Sequence, residues 1–133
     1  MNNKKIFWWI IAIGWCLLIA YATRTPFFTG DSTKELLTNP FIDNAFLNFI
    51  LRKAGHMVAF GLLALFCFLA LKGNTYRYIL AWMLATIYGA VDEWHQSFIP
   101  ARDGQFTDVL INSTGALLTL VVIFVIKSYT KKR

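Results

Sequence analysis

Four apolar runs, at residues 6–22, 54–71, 76–91 and 109–126, govern what this chain can fold into. Each approaches the roughly 20 helical residues that cross a hydrocarbon core about 30 Å thick. Lipid offers no partner to a bare N–H or C=O, so a segment at that depth must satisfy its own backbone, as a helix does. The runs predict an all-α, polytopic membrane protein with four transmembrane helices in a single domain over residues 1–133. Composition supports this: 57% of the chain is hydrophobic and only 15% is charged, where a soluble domain carries nearer a quarter charged.

The first run admits a second reading. Lys4 and Lys5 precede it and Ala20-Tyr21-Ala22 ends it, a pattern shared with secretory signal peptides. Its length and its three tryptophans, Trp8, Trp9 and Trp15, favour a retained anchor. Cys16 and Cys67 lie inside apolar runs without CxxC spacing, so buried, inert thiols are expected in place of a disulfide or zinc site. The net charge of +6 does not point to nucleic acid, because the basic residues are scattered and gather at the edges of the apolar runs.

Lys and Arg in the connecting segments set the expected orientation. With both termini cytoplasmic, the inside holds eight: Lys4, Lys5, Lys72, Arg77, Lys127, Lys131, Lys132 and Arg133. The outside holds five, Arg24, Lys34, Arg52, Lys53 and Arg102, over much longer segments. The expected location is a bacterial cytoplasmic membrane, with the termini inside.

The 23–53 segment is too long for a bare turn. Ser32-Thr33-Lys34-Glu35 has capping-box spacing, which suggests a short helix after Ser32. Asn39-Pro40 suits the start of another. In that second stretch Phe41, Ile42, Ala45, Phe46, Phe49 and Ile50 recur at helical spacing. They predict an amphipathic helix on the outer membrane surface, between the first two spans; a re-entrant loop packed on the bundle is the other reading. Gly73-Asn74 marks a tight turn between spans two and three, which makes those spans antiparallel neighbours.

The segment "VDEWHQSFIPARDGQFTDVLIN" (residues 91–112) concentrates ionisable groups between two apolar runs. The third run, 76–91, would be only about 24 Å long as a helix. To finish a crossing it must continue through Asp92 and Glu93 to about residue 95. Carboxylates at that depth are costly and face protein or trapped water. Span two begins at the same membrane face with Arg52, Lys53 and His56, where Arg52 and His56 are spaced i, i+4 and Lys53 and His56 i, i+3. Span four begins there too, at about residue 108. Asp108, Asn112, Gly115 and Thr119 form a stripe that starts polar and continues small, suited to close helix approach.

Three helix ends are thus predicted to bring Arg52, Lys53, His56, Asp92, Glu93, His95, Gln96, Asp108 and Asn112 to the outer face. The loop adds Arg102 and Asp103, shaped by Pro100 and Gly104. Three readings fit such a set. A structural ion-pair network would match the cations to the acids, in a protein that serves as a structural partner subunit. A binding site would present a guanidinium to an anionic lipid headgroup or a lipid-linked cell-wall precursor. An enzyme would use Glu93 with His56 or His95 for proton transfer, or hold a divalent ion on Asp92, His95 and His56. Proton-coupled transport is a remoter use of the same groups. HExxH, GxSxG and paired-histidine zinc patterns are absent from the sequence, so neither a cofactor nor a resident metal is expected and a non-enzymatic role is preferred.

Two patches, "RKAGHMVAFGLL" (52–63) and "DEWHQSFIPARDGQFTDVLINSTG" (92–115), resemble the VanZ-like family of small bacterial membrane proteins. The matching positions are Arg52, Lys53, His56, Asp92, Glu93, His95, Gln96, Pro100, Arg102, Asp108, Asn112 and Gly115. Phe60 stands where the family often has tyrosine, and Thr119 where a second glycine is common. The resemblance implies a multi-span bundle and a role in the cell envelope. It also implies a link to glycopeptide resistance of the teicoplanin type, after which the family is named. It fixes no biochemical activity.

Overall fold

The computed structural model describes residues 3–24, 44–98 and 105–131. These residues form four helices: α1 (Asn3–Arg24), α2 (Asn44–Ala70), α3 (Arg77–Gln96) and α4 (Phe106–Lys131). Three of them, α1, α2 over Phe49–Ala70, and α4, are long and apolar enough to cross a membrane.

The helices form one bundle, successive helices antiparallel and α2 parallel to α4, with α2 at its centre in contact with α1, α3 and α4. Sequence spacing explains that position. Phe60, Leu63, Ala64, Cys67 and Phe68 are all buried, and they recur at the three- and four-residue intervals of one helix face. Ala81 and Ala85 of α3, Ala116 and Leu120 of α4, and Ala12 and Ile19 of α1 close the core around them. Cys16 and Cys67 are both free thiols. Tyr88 Oη donates to the Cys16 carbonyl at 2.5 Å, and Trp15 Nε1 to the Ala59 carbonyl at 2.9 Å. These two bonds tie α1 to α3 and to α2.

The connection from α2 to α3 is as tight as Gly73-Asn74 predicts. Gly73 takes φ 92°, a left-handed conformation that glycine adopts without steric cost. The Asn74 side-chain oxygen accepts the Tyr76 N–H at 2.8 Å, which closes an Asx turn. Lys5 Nζ of α1 reaches this turn, 3.6 Å from where a Gly73 Cβ would stand.

Helix α2 differs from the expected arrangement of a surface helix followed by a separate span. Residues 44–50 are already the first turns of the long helix. No proline lies between Asn44 and Ala70, and a single interior glycine such as Gly55 costs only about 1 kcal/mol. The Ser32 helix and the Pro40 start fall outside the described residues.

Helix α3 is patterned inside out. Its buried stripe runs Ala81, Ala85, Gly89, Asp92 and Gln96, with Glu93 beside it. Its exposed face carries Ile79, Met83, Ile87, Val91 and Trp94. In water this distribution would be reversed.

Candidate functional site

The polar stripe of α3 meets polar positions from the other three helices. Asp92 and Glu93 are each only 4% exposed, and Asn112 is wholly buried. Asp92 is held by neutral donors: Gln96 Nε2 donates to Oδ2 at 2.9 Å, and Thr23 Oγ1 of α1 lies 3.0 Å from Oδ1. Thr23 Oγ1 is also 2.9 Å from the Ile19 carbonyl. A hydroxyl has one proton, so Thr23 serves either the carboxylate or its own helix.

Lys53 Nζ of α2 pairs with the Asp108 carboxylate of α4. One turn along α2, His56 Nδ1 stands 3.9 Å from Glu93 Oε1. Asn112 Nδ2 points at the same oxygen from α4, at a long 3.5 Å. His56 Nδ1 and Asn112 Oδ1 are buried without a hydrogen-bond partner among the described residues. The Asn112 side chain nonetheless lies within reach of the His56 ring, and Glu93 accepts from the Gln105 backbone.

Close backbone approach brings these groups together. A Cβ on Gly115 would stand 2.7 Å from Met57 Cα, so α2 and α4 touch there through their main chains. One turn further, Gly61 of α2 faces Thr119 of α4, whose Oγ1 would meet a Gly61 Cβ at 2.5 Å. The glycine expected at 119 is thus offset by a glycine on the opposing helix. Gly89 of α3 admits Asn112 and Phe60, each 3.3 Å from its would-be Cβ. Phe60 lies below the cluster, its ring parallel to that of His56 at 6.4 Å.

The described residues thus place Lys53, His56, Asp92, Glu93, Gln96, Asp108 and Asn112 together. Arg52 and His95 are on the right helix ends, but their side chains are exposed. Pro100, Arg102 and Asp103 lie outside the described residues. His95 is exposed while Asp92 is buried, and no group of three or more His, Cys, Asp or Glu among the described residues is placed to hold a metal ion.

Sequence reasoning missed Thr23. It ends the first span at the same face, so topology alone could have nominated it. A second polar link was also missed: Trp82 Nε1 and Thr86 Oγ1 of α3 lie 3.1 and 3.0 Å from Ser113 Oγ of α4.

Three carboxylates, one ammonium and a histidine are thus enclosed by helices whose outer faces are apolar, as in a polytopic helical membrane protein with a polar cluster at one end. A family model, VanZ/LLP1, matches residues 7–127. The chain belongs to the VanZ/LLP1 family. No curated protein and no solved structure matches it.

Proposed function

We propose that this VanZ/LLP1 protein crosses the bacterial cytoplasmic membrane four times. It binds an anionic envelope lipid or lipid-linked cell-wall precursor at the end of the bundle that carries the polar cluster. The observation that carries this reading is the convergence of Lys53, Glu93 and Asp108 from three helices at one end, with Arg52 exposed beside the Lys53–Asp108 pair. The pair holds its own charges inward, while a guanidinium at the rim can take a phosphate bidentately. Arg102, in the loop between α3 and α4, belongs to the same end by connectivity.

The inside-out pattern of α3 supports its role as the fourth span. Lys5, Lys72, Arg77 and Lys127 all lie toward the opposite end, which supports a cytoplasmic location for both termini. Single cysteines test this in a Cys16→Ser, Cys67→Ser background. Lys34→Cys and Asp103→Cys should react with an impermeant maleimide in intact cells, and Thr75→Cys should not. The reverse pattern would invert the orientation.

Native mass spectrometry of the purified protein tests the ligand. Anionic lipid should copurify, and Arg102→Lys should fold normally yet retain less of it, because lysine keeps the charge and loses the fork. Unchanged retention in well-folded Arg52→Gln and Arg102→Gln variants would leave the cluster as a structural network. The family resemblance also supplies a phenotype: deletion should lower the inhibitory concentration of a teicoplanin-type glycopeptide.

One observation favours a second reading, a membrane-embedded enzyme. His56 Nδ1 stands 3.9 Å from Glu93 Oε1, close enough for a proton-transfer pair to tighten on substrate. Loss of phenotype in Glu93→Gln with unchanged lipid retention would favour that reading.

A further inference from the structure

The opposite end of the bundle carries a second constellation. Between α3 and α4 lies an open groove of about 400 Å³ with an apolar lining. Tyr78 and Trp82 of α3 and Leu117, Leu120, Val121 and Phe124 of α4 form its walls. From Leu117 to Phe124 the α4 wall runs roughly 10 Å along the helix axis, enough for a stretch of acyl chain.

Two cations stand just beyond one end of this groove, outside its lining. The Arg77 guanidinium lies 4.4 Å from the Phe68 ring centroid and 5.5 Å from that of Tyr78, the first groove residue of α3. Lys127 Nζ lies 4.4 Å from the same Phe68 ring, three residues beyond Phe124. Tyr78 and Phe124 meet edge to face at 6.1 Å, which joins the two walls below the cations. Asp92, Glu93 and Asp108, the acids among the described residues, all belong to the other end of the bundle. The charge on Arg77 and Lys127 therefore has no carboxylate to answer it among the described residues.

We infer that this groove is a seat for an anionic phospholipid, its phosphate held between Arg77 and Lys127 and one acyl chain laid along Trp82 and Leu120. Charge chooses the headgroup, because basic residues between transmembrane helices favour anionic lipid over zwitterionic lipid. The apolar lining chooses a hydrocarbon chain over a soluble phosphate. The seat is at the opposite end of the bundle from the polar cluster, so it stands or falls independently of the proposed function.

Trp82 supplies the probe. The full chain is reconstituted in phosphatidylcholine vesicles with increasing amounts of brominated phosphatidylglycerol or brominated phosphatidylcholine, whose bromines quench nearby indoles. Subtracting the same titration of Trp82→Phe isolates the groove signal from the other four tryptophans. Brominated phosphatidylglycerol should quench Trp82 at a lower mole fraction than brominated phosphatidylcholine. That preference should fall roughly fivefold for each cation removed, in Arg77→Gln and Lys127→Gln. Quenching by brominated phosphatidylcholine should not change. In the unmutated protein, raising salt should weaken the preference, since these groups lie near the membrane surface. That measurement stands even if a variant fails to fold. Equal quenching by the two lipids, or a preference untouched by both substitutions and by salt, would overturn the assignment.

Discussion

The two ends of this bundle solve opposite problems. At one end, acids are buried and partnered inside; Asp92 takes Gln96 and Thr23, and Asp108 takes Lys53. At the other, cations rest on aromatic faces, with Arg77 and Lys127 both over Phe68. The helices touch through their backbones near the acids, at Gly115 and Met57. Near the cations they are spaced by the rings of Phe68, Tyr78 and Phe124. Buried carboxylates require fixed donors, and only close helix approach fixes them. Cations on long stems can keep their charge toward water while their methylenes cover apolar surface. The acid end should therefore be rigid and intolerant of change, and the basic end forgiving.

The largest effect should come from Lys53→Met, which leaves Asp108 without its cation. The side chains are 18% and 11% exposed, so the loss should sit near the low end of the range for buried pairs, about 3 kcal/mol. Lys53→Met with Asp108→Leu should recover most of it in detergent melting. A double variant as unstable as the single would show that the pair is not acting as a pair.

Next comes Gly115→Ala, which drives a methyl into the Met57 backbone. Overpacking of this kind costs about 1–3 kcal/mol. Gly61→Ala should cost less, because it meets chiefly the Thr119 hydroxyl, which can rotate away. Gly14→Ala meets nothing within 4 Å and should be neutral or slightly stabilising. Equal melting temperatures across the three would refute close approach as the basis of the acid end.

A smaller loss, about 1 kcal/mol, is expected for Thr23→Val, which removes the hydroxyl shared between Asp92 and the Ile19 carbonyl. Arg77→Gln should be the mildest for folding. It removes contacts with the Phe68 and Tyr78 rings, but glutamine keeps much of the stem that covers them. A larger loss from Arg77→Gln than from Thr23→Val would reverse the contrast between the two ends.

Much of the acid end was legible before any coordinates. The shortness of the 76–91 run forces α3 onward through Asp92 and Glu93, and the helix does reach Gln96. The spacing of Asp108, Asn112 and Gly115 placed all three on one face, and all three are buried. What could not be read was helical phase. Arg52 and Lys53 both stand within one turn of His56, so spacing supports either as its neighbour. Only the position of Asp108 on α4 selects Lys53 and leaves Arg52 outward. His95 is exposed for the same reason, since one residue along a helix turns a side chain by about 100°. Thr23 belongs to no motif, and only its place at the end of the first span pointed to it. The proposed lipid groove rests on how α3 and α4 pack side by side, which no linear motif encodes.

The inside-out α3 also bears on how the protein is made. Emerging from the ribosome as a candidate span, it carries two carboxylates that lipid alone would receive poorly. Two of the groups that face those carboxylates, Thr23 and His56, are synthesised earlier, on α1 and α2. Asn112 follows on α4. The first two helices therefore form a half-site, on hand while α3 is still at the exit channel. On the proposed four-span topology, entry of α3 into the membrane becomes a docking event in which the receptor is the protein's own amino-terminal half. Removing Thr23 or His56 should then show first as α3 left on the wrong side of the membrane, before any loss of stability in the finished bundle.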